Sequence, residues 1–175
     1  MLDNKTEKIE QSDVEMEKQL VTKTSHLRFV GKTYLPATKA GKGISQNNKR
    51  PFDSVDPDFK KWKAKTVSKD TEKAIAYTFK QTADGTHVDI FGSLKLDLDI
   101  ISSATDEQTK AYFLNVSEIL NPRGYTTHIL FKNEKNERFV ASVIRYLHGS
   151  VNIYLHRFSK EYVWYAQGGY YFVAI

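Results

Sequence analysis

The chain has 175 residues, no cysteine and a formal net charge of +5. That length suits one domain, or one domain with an arm, and its 40% hydrophobic content suffices for a core. The missing cysteine excludes disulfides, thiolate-held metals and thiol catalysis, and it fits a reducing compartment.

Residues 1–25 are charged and mixed in sign, and Leu2, Ile9 and Met16 recur at every seventh position. This stripe is thinner than a core-facing helix shows, so the segment reads as a tail or as a helix that folds against a partner. It lacks the apolar stretch of a secretory signal, and no apolar run in the chain approaches the ~20 residues of a membrane helix. The expectation is a cytoplasmic protein without membrane contact.

The positive charge sits in residues 31–69, where ten Lys and Arg face three acids, while the stretches on either side are slightly acidic. A short strand over residues 26–35, broken at Gly31, precedes a Pro- and Gly-containing stretch with few apolar side chains, which reads as a loop or linker. Gly31-Lys32-Thr33 ends like a phosphate loop, but the first glycine of that motif is missing. Asp56-Pro57-Asp58 starts a short helix over about 57–67, with Phe59 and Trp62 on one side. The expected organisation is a polar, basic, partly flexible arm over 1–69 and a compact domain over 70–175.

From Ala74 the period changes to two: Ile75, Tyr77 and Phe79 alternate with Ala76 and Thr78. Ala83-Asp84-Gly85 marks a turn, and strands are expected at 87–91 and 93–101 with Gly92 as a bulge. In the latter, Leu94, Leu96, Leu98 and Ile100 share one face, and Lys95, Asp97 and Asp99 the other. Asp97 and Asp99 on one strand face would suit a shared divalent cation, which makes them weak metal candidates. FGSLKLDLD resembles a nucleotidyltransferase site in placing a Gly-Ser turn before two acids one residue apart. Its Ser93-to-Asp97 interval is much shorter than that family's, so the resemblance is set aside for a wet strand face.

Thr105-Asp106-Glu107 opens a helix over about 105–120, stopped by Asn121-Pro122-Arg123-Gly124. Four strands follow, over 126–132, 138–147, 151–158 and 162–167, and the chain ends in a fifth over 170–175. Gly168-Gly169 suits a hairpin turn between the last two. A three-residue loop at 148–150 puts Ala141, Val143, Leu147, Val151, Ile153 and Leu155 on one face. Tyr146, Tyr154, His156 and Phe158 then share the other, which is a face under a helix or a stacking platform for bases.

The fold class is therefore α+β, a mainly antiparallel meander packed with one or two helices, plus the basic arm. The leading functional expectation is a non-enzymatic binding module that contacts nucleic acid or an acidic protein partner. The residues expected to touch it are Lys32, Lys39, Lys42, Lys49, Arg50, Lys60, Lys61, Trp62, Lys63 and Lys65. The alternative is a structural or assembly subunit of a virion or another large complex, viral or bacterial, with an arm ordered by neighbours in a homo- or hetero-oligomer. A metal-dependent phosphoester enzyme using Asp97 and Asp99 is the weakest reading. No cofactor is expected.

Overall fold

In the computed structural model, which describes residues 25–175, the alternating segments form one seven-stranded sheet. Its strands are β1 (Leu27–Leu35), β2 (Ser54–Val55), β3 (Ala74–Gln81), β5 (Thr126–Lys132), β6 (Arg138–Arg145), β7 (Val151–Arg157) and β9 (Tyr171–Ala174). They lie in the order β1-β3-β9-β5-β6-β7-β2. Pairing is antiparallel except between β5 and β9 and between β2 and β7. A two-stranded ribbon, β4 (Gly85–Thr86) with β8 (Val163–Trp164), stands beside it. Four short helices complete the α+β fold: α1 (Asp58–Lys61), α2 (His87–Gly92), α3 (Leu98–Ile101) and α4 (Asp106–Asn115). Among the described residues no helix is long and apolar enough to cross a membrane.

The sheet buries both faces. On the first, Tyr77, Phe79, Leu130, Val140 and Phe172 meet Ile90 and Phe91 of α2, Ile101 of α3, and Trp164. On the second, Phe131, Phe139, Ala141, Val143, Ile153 and Leu155 meet Ile44, Phe52, Val55, Phe59 and Ala64. Tyr112 of α4 covers Ala76, Ile129 and Val173 on the same side. The β6–β7 register pairs Arg145 with Val151, two residues away from the expected pairing of Leu147 with Val151. A slip of two preserves the faces, so Ala141 and Val143 stay beside Leu155 and Ile153, while Leu147 falls outside the pairing and is exposed.

The basic segment is a layer of this body. β1 pairs with β3 from Leu27 opposite Gln81 to Leu35 opposite Ala74, with the expected irregularity at Gly31. The boundary expected at 69–70 thus falls between elements that share a sheet and a core. The segment over 53–56 is held along the outer edge of β7: Asp53 N donates to Val151 O and Asp56 N to Ile153 O. The two carboxylates return the bonds, Asp53 Oδ2 accepting from Val151 N at 2.7 Å and Asp56 Oδ2 from Leu155 N at 3.1 Å. Two acids of a basic stretch so satisfy the edge that an unpaired strand would leave open. The expectation for residues 1–24 lies outside the described residues.

Four expectations are corrected. The helix expected over 57–67 spans only Asp58–Lys61, because Lys63 takes φ 53° and turns the chain out of the helix. Residues 87–91 and 93–101 are not strands. Thr86 and Asp89 form a capping box that starts α2, Lys95 takes φ 54°, and Asp97 caps α3 by accepting from Asp99 N. The expected pairing of the last two strands also fails, because β8 pairs with β4 and β9 inserts between β3 and β5. Of the Gly168-Gly169 pair only Gly169 has positive φ (68°), so the two-residue hairpin turn does not form. The helix expected over 105–120 ends at Asn115, and Ile119 is exposed.

The start of α4 is as expected: Thr105 Oγ1 accepts from Gln108 N at 3.1 Å, and Gln108 Oε1 accepts from Thr105 N at 3.0 Å. Thr105→Ala is expected to cost about 1 kcal/mol in urea unfolding, because it orphans a donor at a buried helix start. An unchanged midpoint would show that the cap contributes nothing.

Candidate functional site

Four of the expected lysines converge. Lys42 comes from the loop after β1, Lys60 from α1, and Lys63 and Lys65 from the segment after it, and all four line one cavity of about 550 Å³. Local structure places each of them. Gly43 has φ 74°, and its carbonyl accepts from Asn48 Nδ2, which turns the loop beside Lys42. Lys63 takes φ 53°, its carbonyl accepts from Asn133 Nδ2, and Lys65 O accepts from Glu134 N, so the segment is docked on the β5–β6 turn.

The cavity floor is apolar, made by Ile44, Val55 and Phe59, and two acids, Asp56 and Glu134, also line it. The Asp56 carboxylate is committed to the backbone of Asp58 and Leu155. The four lysines are exposed, and among the described residues none of them forms an ion pair.

The other basic candidates lie elsewhere. Lys32 is on β1, its Nζ 5.7 Å from the Tyr34 ring centroid. Lys39 pairs with Asp70 at 2.7 Å, and that contact holds the Asp70 carboxyl below its usual range. Lys49 Nζ donates to Asp53 O at 2.8 Å, and Arg50 is exposed. Lys61 reaches Asp58 at 3.5 Å and lies over the Trp62 ring. Trp62 itself stacks on Phe139 and carries the Arg157 guanidinium at 5.0 Å.

The carboxylate pair does not form a metal site. Asp97 caps α3, whereas Asp99 Oδ1 accepts from Arg138 Nη2 at 2.6 Å and Lys132 Nζ at 3.4 Å. The Arg138 hydrogen bond, then Lys132, holds the Asp99 carboxyl below the usual range. The strand that would have aligned the two acids is a capped turn. Among the described residues no cluster of His, Asp and Glu could hold a metal ion.

The expected stacking face is divided. Tyr146 and Tyr154 join hydroxyls at 3.1 Å near the β6–β7 turn. His156 and Phe158 instead belong to an aromatic cluster with His87, His128 and Trp164. His87 lies against Trp164 at 5.0 Å, His128 at 4.6 Å and His156 at 5.4 Å, while Phe158 stacks on His87 at 6.3 Å. Burial, with the neighbouring His156, pushes the His87 pKa down to about 4, although a hydrogen bond to the Arg157 backbone opposes this. Burial pushes His128 well below the ordinary range, and burial also lowers His156 against the pull of Asp56.

His128 Nδ1 shares a hydrogen bond with Ser142 Oγ at 2.7 Å. His87 Nε2, His128 Nε2 and Trp164 Nε1 are buried with no hydrogen-bond partner among the described residues. The cluster borders a second cavity, of about 470 Å³, lined by Trp62, the end of β7 and Trp164 of β8. Sequence reasoning did not single out His87, His128 or Trp164. His128 carried a usable signal, since it alternates with Leu130 on the strand face that must be buried.

No family model matches this chain, and no curated protein or solved structure matches it.

Proposed function

We propose that the protein is a non-enzymatic binding module that holds the phosphate backbone of nucleic acid in the lysine-lined cleft. One observation carries the reading: Lys42, Lys60, Lys63 and Lys65 surround one cavity without ion-pair partners among the described residues. Like charges gathered on a rim repel one another, and phosphates that enter relieve this repulsion while releasing their own counterions. The docked backbone around residues 42–65 anchors the four lysine stems around one cleft, so their ammonium groups stay within reach of it.

Fluorescence anisotropy with labelled single-stranded RNA and DNA tests the proposal. Contact with four phosphates gives a single-strand salt slope of about −3, so affinity is expected to fall roughly 50-fold between about 50 and 200 mM salt. Lys60→Glu with Lys63→Glu should weaken binding across all sequences and flatten the slope by more than one. No retention of either nucleic acid at low salt rejects the reading. Retention of polyglutamate alone would assign the cleft to an acidic protein surface.

A further inference from the structure

We infer that the second cavity is a stacking pocket for one unpaired nucleobase, an inference that rests on the nucleic-acid reading of the lysine cleft. The pocket lies at the end of β7, where Leu155, His156 and Arg157 line it. Its walls are Trp62, Tyr162 and Trp164, with His87, His156 and Arg157 completing it. Three features suit a base and its phosphate better than an aliphatic ligand.

The first is aromatic surface. Tyr162 and Trp164 meet edge to face at 5.0 Å, and Tyr162 is 64% exposed, so its ring is free to take a stacked partner. The second is charge. The Arg157 guanidinium lies over the Trp62 ring, which makes a planar cationic platform at the pocket wall suited to a base face or to a phosphate oxygen. The third is accessible polarity. His156 and Ser159, both half-buried, line the pocket and offer a ring nitrogen and a hydroxyl to an incoming base edge.

At about 470 Å³ the space lies in the range of ordinary small-ligand sites. The sequence links the two cavities directly. Lys60 and Lys63 line the lysine cleft, and Trp62, between them, lines the pocket. Because Trp62 stands between Lys60 and Lys63 in the chain, a strand with its phosphates on those two lysines passes close to the Trp62 wall of the pocket.

Both tryptophans of the chain border this pocket, so intrinsic emission reports on it directly. Three titrations of the full chain decide the matter: a twelve-nucleotide single strand, an abasic strand of equal length and charge, and a mononucleotide at millimolar concentration. The base-containing strand is expected to quench tryptophan emission and to bind about ten-fold tighter than the abasic one. Tyr162→Ala should remove that advantage and leave abasic binding unchanged, and Tyr162→Phe should restore it.

Equal binding of both strands with unchanged emission overturns the pocket and leaves the cleft reading standing. Quenching by the mononucleotide alone, lost in Tyr162→Ala, upholds the pocket, makes the free nucleotide its source and rejects the cleft. No response to any of the three overturns both.

Discussion

Lowering the pH from 6.5 to 4 is expected to remove about 3 kcal/mol of folding stability through His87 alone. The imidazole has an ordinary pKa of 6.5 in the unfolded chain and about 4 in the fold, where burial disfavours its charged form. Below pH 6.5 the unfolded state therefore binds a proton that the folded state refuses. Stability falls by up to ~1.4 kcal/mol per pH unit until the folded group also titrates. Above pH 6.5 both states are neutral and the residue contributes no slope. His128 and His156 are displaced in the same direction and steepen the loss.

Asp106 works against it, because burial raises its carboxyl, so the folded state takes up that proton earlier than the unfolded one. The lowered carboxyls of Asp70, Asp89 and Asp99 lose stability as the pH falls through their ordinary value of 3.8, so they add to the loss only at the acid end of this range. Urea unfolding at pH 7, 5.5 and 4.5 measures the slope, and His87→Phe should reduce it by close to one proton. A stability that stays level from pH 7 to 4.5 would mean that the imidazoles are not buried as neutral groups.

The same histidines mark the limit of what local pattern conveys. β3, β5, β6 and β7 are legible as short runs rich in β-branched and aromatic residues between turn residues, and a register slip of two leaves each side chain on its face. The start of α4 was legible because a cap is a local device, set by Thr105 and Gln108.

Residues 36–69 were not legible as core. Ile44, Phe52, Val55, Phe59 and Ala64 follow no period, and each is placed by distant partners, as when Ile44 N donates to the buried Asp106 carboxylate at 2.9 Å. The run from Leu94 to Ile100 alternates as a strand should, yet Lys95 at φ 54° and the Asp97 cap break it into turns. Local hydrogen bonding by Asp side chains there outweighs the pattern. For the site, the lysines were visible as composition, but their separation into one cleft and several scattered positions depends on backbone turns at Gly43 and Lys63. The aromatic pocket depends on His87 of α2, and the pattern over residues 87–91 predicts a strand there.

Phe172→Ala is expected to cost about 4 kcal/mol, the largest loss for any single side chain considered. β9 lies between β3 and β5, so in the described sheet it joins the pair β1-β3 to the four strands β5-β6-β7-β2. Phe172 sits at its middle, opposite Phe79 on one side and His128 on the other. It is fully buried, with its ring edge-on to Phe91 at 5.3 Å and stacked on His128 at 4.8 Å. Truncation leaves a cavity between two half-sheets and α2, where backbone pairing on both sides prevents collapse, and the cost of such a cavity grows with its residual volume.

The neighbouring His128 ring loses its stacked partner, so the damage should also reach Trp164 and appear as a shift in tryptophan emission. Ile119→Ala, at a side chain 84% exposed, is the matched control and should change stability by less than about 0.5 kcal/mol. Equilibrium urea unfolding of both variants reads the difference. If Phe172→Ala proved as mild as Ile119→Ala, β9 could not be the seam that unites the sheet, and both the buried histidines and the pocket they border would lose their support.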